Sequence, residues 1–294
     1  VGIYGRMLLL RHRRGLGRIV PLRLLFLGLV YGASLAAAMM YYAITSINED
    51  LPQDLTKLLD YQPNRKSIVL SSDGEEIGTF SIENRRIVPL ERMPAHVPAA
   101  FIATEDHRFF EHHGFDPVGI VHAAIDNLRS GKTKRGGSGI TQQIIKQTLL
   151  NEEEGDVSDL GFSPQRLAQE KKTQKWKRKL KEVILAVRLE RELTKAQILS
   201  IYLNHVYLGH GAYGVGAAAE AYFGKEVEDL TIGEAAMLGG LVASPTKYAP
   251  THDIKLARER QMHVLQRMRD DHYISEAEYQ AALVEPLALV DESD

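Results

Sequence analysis

Cysteine is missing from all 294 residues, which excludes a disulfide framework and any thiolate metal site. Acidic residues are missing from the first 48, which hold six arginines: Arg6, Arg11, Arg13, Arg14, Arg18 and Arg23. Against an overall formal charge of −2, the rest of the chain therefore carries −8. A body of that sign is a poor partner for nucleic acid, and none is expected. Internal repeats and long low-complexity stretches are absent too. What is present is ordinary for a globular protein, at 44% hydrophobic and 25% charged residues. The length suits a short anchor and one domain of roughly 200 residues.

One stretch departs from that average. Leu24 to Ile44 is an uncharged run rich in Leu, Ala, Met and Tyr, about the 20 residues that cross a bilayer as a helix. Arginines precede it, and Glu49 and Asp50 follow it. That bias places the N-terminus in the cytoplasm and the chain after the span outside. A cleaved signal peptide at Ala36-Ala37-Ala38 is one alternative, although the run is long for one. A buried core helix is another, although the run is apolar on every side. The expected organisation is a basic tail over 1–23, a membrane helix over 24–44, a linker with a small β segment over 45–95, and a helical domain over 96–290.

Residues 66–90 alternate as strands do around Asp73-Gly74, a tight-hairpin signal. Helix signals follow. Pro98 opens a helix towards Asp106, and Ser163-Pro164 reads as an N-cap with proline at the first helical position. Thr194 with Gln197, Thr231 with Glu234 and Ser275 with Glu278 form capping boxes. Glycine-rich 131–139 and 209–216 are loops. The fold class expected is mainly α, after one transmembrane helix and a small β segment.

Two glutamates attract attention. On a helix from Pro98, Glu105 falls at an angle between Phe101 and Ile102, inside an apolar stripe. A carboxylate there is costly to ionise, which raises its pKa towards the range a general base uses. Ion pairing with Arg108, or a hydrogen bond to backbone at the helix C-terminus, is the plainer reading. Glu182 falls opposite a cluster of Trp176, Leu180, Val183, Ile184 and Val187, beside Arg178 and Lys175. Alone, that position reads as a solvated face with an i, i+4 pair.

Charge gives Glu182 a context. Residues 171–181 hold seven Lys or Arg in eleven positions. Upstream, Arg129, Lys132, Lys134, Arg135 and Lys146 bracket Gly136-Gly137-Ser138-Gly139. Glycine-rich backbone opening into a helix among lysines suits phosphate oxygens. It is not a Walker A loop, because Gly131-Lys132-Thr133 would need glycine where Asp126 stands. Outside a membrane the available phosphates are lipid headgroups or a lipid pyrophosphate. His112, His113, His205 and His210 match no zinc spacing. Ser244-Pro245-Thr246-Lys247 matches S-x-x-K, but no K-T-G partner accompanies it.

Glu105-Asp-His-Arg-Phe-Phe-Glu-His-His-Gly-Phe-Asp116 resembles the first motif of the family 51 glycosyltransferases, E-D-x-x-F-x-x-H-x-G-x-D. Four further blocks resemble the family in order: Gly136 to Gln143, Arg178-Lys-Leu-Lys-Glu182, Ile198 to Asn204 continuing through Gly211-Ala-Tyr-Gly214 and Tyr222-Phe-Gly-Lys225, and Leu230 to Pro250. The likeness spans about residues 66–285. The anchor and β segment resemble the start of a class A penicillin-binding protein, which implies a transpeptidase domain after residue 294. Two departures stand out. Gly139 occupies a position where the family usually has threonine, and Asn151 to Glu170 looks like an acidic insertion.

The resemblance implies a lysozyme-like helical fold in a bacterial cytoplasmic membrane. A hydrophobic jaw near 117–135 would dip into the bilayer, with Val118, Ile120, Val121 and Ile125 apolar. The substrates implied are lipid II as acceptor and a growing glycan on undecaprenyl pyrophosphate as donor. Glu105 would be the base, and Glu182 would assist on the leaving-group side, orienting cations or holding a divalent ion such as Mg or Mn. Ser138, Gln142 and Gln143 would line the donor site. Lys146, Arg178, Lys179 and Lys175 (with Lys171 and Lys172 as alternatives to Lys175) would face pyrophosphate. Asp106, Phe109, His112 and Asn204 would shape the cleft. A glycan-cleaving lysozyme-like enzyme and an inactive scaffold for wall-synthesis partners are the rival readings.

Overall fold

The computed structural model describes residues 23–42, 44–46, 51–52, 55, 67–71, 73, 76–80, 84–121, 138–150 and 164–290. The chain forms two compact units, Val1–Leu51 and Pro52–Asp294. Described in the first is one helix, α1 (Arg23–Ser46), of 24 residues and mean hydropathy 1.8. It is long and apolar enough to cross a membrane, and none of it is buried. Leu24, Phe26, Leu29 and Tyr31 are all more than 60% exposed, which removes the reading of a soluble core helix.

The second unit is mainly helical with little strand, as expected. β1 (Ser67–Leu70) and β2 (Glu76–Phe80) pair antiparallel with an irregularity after Val69. β3 (Asn84–Arg85) pairs in parallel with β4 (Ala212–Tyr213). The helices that build the body are α2 (His96–Glu105), α3 (Ile140–Thr148), α4 (Pro164–Glu192), α5 (Lys195–His205), α6 (Val215–Phe223), α7 (Ile232–Leu241), α8 (Pro245–Tyr248) and α9 (Ile254–Asp270). α10 (Glu276–Val284) follows them. All three capping boxes form. Ser244 is the N-cap residue of α8 and Lys247 lies in its only turn, so the S-x-x-K match is a helix start.

α2 begins two residues before the expected Pro98, which sits in the first turn where its missing N–H costs no helical bond. Its residues from Ala99 to Ala103 are buried against α7 and α9. The approach of α7 is close: a Cβ on Gly239 would stand 3.1 Å from the Ala100 carbonyl oxygen. From α9, the Arg267 side chain donates to the Ala103 carbonyl at 3.3 Å, satisfying an orphan acceptor of the last helical turn. Glu105 thus ends a helix held on two sides.

The apolar stripe expected on α4 is not its buried face. Trp176 is 69% exposed, and Leu180, Val183, Ile184 and Val187 are half-buried. The buried positions are Glu182, Leu185, Ala186 and Leu189, spaced i, i+3, i+4, i+7. Counting apolar residues misled because the N-terminal half of the helix, at 172 and 174–177, is exposed. The face is set instead by Gly114, which lies against the backbone of Ala186 and Val187. A Cβ there would come within 2.5 Å of the Val187 nitrogen, and its φ of +88° favours glycine besides. The solvated reading of Glu182 is therefore wrong.

Of the expected jaw, residues 117–121 are helical, with Val118 and Val121 exposed; 122–137, including Gly136-Gly137, fall outside the described residues, as do Ser163 and the stretch 151–163.

Candidate active site

Every position of the first motif has a physical task. Glu105 is half-buried at the end of α2, and its Oε2 accepts from the Gln143 side-chain amide at 2.7 Å. Burial raises its pKa from the ordinary 4.5, while the Gln143 hydrogen bond and the positive charge of Arg260 act against the rise and neighbouring Asp106 adds to it. Burial wins, and the carboxylate is a better proton acceptor than a solvated one. The Arg108 pairing offered as the plainer reading does not occur: Arg108 binds Glu111 at 2.7 Å and Asp116 at 3.2 Å.

Asp106 is 7% exposed. Its oxygens accept from His112 Nε2 at 2.9 and 3.1 Å, and Oδ2 also accepts the backbone N–H of Ile140 at 3.1 Å. Phe109 is fully buried, with the Lys195 ammonium 4.3 Å above its ring. Asp116 accepts the Val118 N–H at 3.0 Å and starts the next helix. Asp106, Phe109 and His112 are buried supports of this loop.

The second and third motifs meet at one lysine. Lys179 donates to Ser138 Oγ at 2.5 Å, to Gln142 Oε1 at 2.8 Å and to Glu182 Oε2 at 2.9 Å. These three acceptors use all the donors an ammonium has. Arg178 faces the other oxygen of Glu182 at 3.6 Å. The Gln142 amide also reaches the Gly114 carbonyl at 3.4 Å. Lys146, in the last turn of α3, and Lys175 on α4 are exposed; the Lys171 side chain lies outside the described set. Glu182 brings one carboxylate to this corner, already faced by two cations. Among the described residues no three His, Asp or Glu side chains gather into a ready-made metal cage. That donor set suits an ammonium or guanidinium better than a divalent ion.

α3 joins the two glutamates. Its adjacent residues Gln142 and Gln143 reach opposite ways, Gln142 to the Lys179–Glu182 pair and Gln143 to Glu105. Gln143 therefore holds Glu105. Its own Oε1 accepts from the Tyr202 hydroxyl at 3.4 Å. Tyr202 is fully buried, and burial with the nearby charges of Glu105 and Asp106 holds its pKa well above 10.0. The sequence reading passed over Tyr202, although it stands in the fourth block two residues before Asn204. It also passed over Thr141, whose hydroxyl donates to Glu190 at 2.6 Å; Glu190 in turn meets Lys195 at 2.7 Å, tying α3, α4 and α5 together.

Asn204 was expected to shape the cleft. It is buried, accepts the Val88 N–H at 2.8 Å and donates to the carbonyls of Val88 and Ser200 at 2.9 and 2.8 Å. Its amide clamps the strand-side segment onto α5. His205 lies 3.1 Å from Arg85.

A family model described as transglycosylase matches residues 73–269. The chain is 43% identical to penicillin-binding protein 1A of Vibrio cholerae over 82% of its own length and 27% of that protein. It is 40% identical to the Aquifex aeolicus protein of the same name, over 84% of this chain and 31% of that one. The Escherichia coli protein is also 40% identical, over 86% and 27%. A crystal structure of the Haemophilus influenzae protein aligns at 26% identity with a TM-score of 0.43, over 78% of this chain and 22% of that one. The chain thus spans about three tenths of the length of the curated relatives it matches. On the family match and this identity, the chain belongs to the transglycosylase family.

Proposed function

We propose that the chain is the peptidoglycan glycosyltransferase portion of a bifunctional penicillin-binding protein, anchored in the bacterial cytoplasmic membrane by α1. Its substrates are lipid II and a growing glycan on undecaprenyl pyrophosphate, and a transpeptidase domain occupies part of the relatives' remaining length. One observation carries the reading: α3 holds a proton-accepting Glu105 through Gln143 and a lysine–glutamate pair through Gln142.

Glu105 takes the proton of the acceptor sugar's 4-hydroxyl as that oxygen bonds to the donor's anomeric carbon. The bond from that carbon to the pyrophosphate oxygen breaks, and inversion converts an α-linked pyrophosphate into a β-1,4 linkage. The chemistry resembles inverting hydrolysis with a sugar hydroxyl in place of water. Negative charge develops on the departing pyrophosphate, where Arg178, Lys179 and the exposed Lys146 and Lys175 provide cations. Glu182 is buried behind Arg178 and Lys179 and fixes their positions. Ser138, through the same lysine, borders the donor side.

The test is polymerisation of lipid II by the purified protein without added nucleotide. Long glycan supports the proposal. No polymer, or cleavage of finished peptidoglycan instead, would overturn it.

A further inference from the structure

We infer that Gly139 is a positioning residue, whose missing side chain admits the Asp106 carboxylate to the first turn of α3. This rests on the glycosyltransferase reading for its effect on catalysis, though not for its geometry.

The backbone does not call for glycine here. Gly139 is the N-cap residue of α3 at φ −78° and ψ 176°, an extended conformation open to any residue. As an N-cap it has no side chain to offer the orphan N–H groups of the first turn. The cap arrives from elsewhere: Asp106 Oδ2 accepts the Ile140 N–H at 3.1 Å. A Cβ on residue 139 would stand 2.2 Å from that oxygen and 3.1 Å from the carboxyl carbon. The end of a free side chain would swing aside. Asp106 is not free, since it is 7% exposed and both its oxygens face His112 Nε2, on a histidine equally buried.

A side chain at 139 and this carboxylate position therefore exclude each other. The threonine usual in the family would displace Asp106 here, because its Cβ is the offending atom. The consequence reaches the reaction through α3. Asp106 follows the base directly, and by capping Ile140 it latches the end of α2 to the helix whose Gln143 binds Glu105. A negative charge at that helix start is favourable in itself. Displacing Asp106 loosens the first turn of α3, three residues before Gln143.

The experiment uses the full chain with lipid II and compares wild type with Gly139→Ala and Gly139→Thr. Both are expected to lower kcat about ten- to a hundredfold, as misplacement near the chemistry does. The acid limb of kcat should move to higher pH, because Glu105 loses the amide that favours its charged form. Losing the Asp106 cap should lower the Tm of Gly139→Ala by about 2–4 °C, and that of Gly139→Thr by less, because the threonine hydroxyl can cap in its place. Asp106→Ala closes a double-mutant cycle: with the carboxylate gone, Gly139→Ala should cost little further Tm. Wild-type kcat, acid limb and Tm in Gly139→Ala would refute the inference, and so would Tm losses that simply add. If the wild type makes no glycan, the function fails while the Tm cycle still decides Gly139.

Discussion

Glu105 is half-buried and Glu182 buried, and their surroundings are opposite. Glu105 is held by a neutral amide, with Arg260 acting on it only through its charge. Glu182 is in contact with an ammonium at 2.9 Å and a guanidinium at 3.6 Å. A carboxylate held by an amide in apolar surroundings is poised to bind a proton. One wrapped in cations organises positive charge for a ligand. One helix, α3, thus reaches an amide-held carboxylate on one side and a cation-paired carboxylate on the other, and the two contacts can be broken separately.

Glu105→Gln gives the sharpest break. It preserves shape and can still accept from Gln143, but it cannot take a proton. Polymerisation of lipid II should fall by about 10²–10⁴-fold, with circular dichroism and Tm at neutral pH showing a retained fold. A variant within a few-fold of wild type would remove the base from position 105. Lys179→Met should break the other end differently. It leaves Glu182, whose side chain is 5% exposed, with one cation. A buried charged acceptor stripped of its best partner costs about 1–3 kcal/mol, readable as a shift in denaturant midpoint. Donor KM should rise with it. If Lys179→Met left stability unchanged while Glu105→Gln lowered it, the contrast between the two sites would be reversed.

The sequence made Glu105 legible because α2 is short and regular, and an acid between Phe101 and Ile102 stands out at a helical period. The capping boxes were legible for the same reason, since their chemistry lies within four residues. The burial of Glu182 was not legible from its position alone, because α4 buries only part of its 29 residues. Its face is chosen by a loop about 70 residues away, through the absent side chain of Gly114. Asn204 looked like cleft furniture because it stands in a motif, whereas its partner is backbone at Val88, 116 residues earlier. Such pairings leave no periodic trace. Tyr202 shows the same limit: an apolar-looking position on α5 proves to touch the amide that holds Glu105. The motifs marked residues that the fold brings together, and only the packing shows which of them contact one another and which contact backbone.

A smaller effect tests how Glu105 is tuned. Gln143 donates to the ionised carboxylate, so its N–H favours the charged form and opposes the burial that raises the pKa. Gln143→Leu removes that opposition. The acid limb of kcat should therefore move to higher pH, with activity lost first on the acidic side. Lys179→Met should leave the limb where it was, because no contact joins Lys179 to Glu105 among the described hydrogen bonds. Equal shifts in the two variants would mean that the sites titrate together.

The smallest effect is thermodynamic and needs no substrate. The folded protein holds Glu105 with a pKa above its ordinary 4.5. Below that ordinary value the group is protonated folded or unfolded, and the folded state's preference for the neutral form contributes fully. As pH rises through the raised folded pKa that contribution is lost, because the folded state must then bury a charge. Glutamine carries no such penalty. The Tm of Glu105→Gln minus that of wild type should therefore grow as pH rises from the ordinary 4.5 through the raised folded value. Lys179→Met leaves Glu105 and its Gln143 contact in place and should show no matching growth. A flat difference for Glu105→Gln would mean that burial does not raise Glu105, and that the base must be sought elsewhere on the cleft.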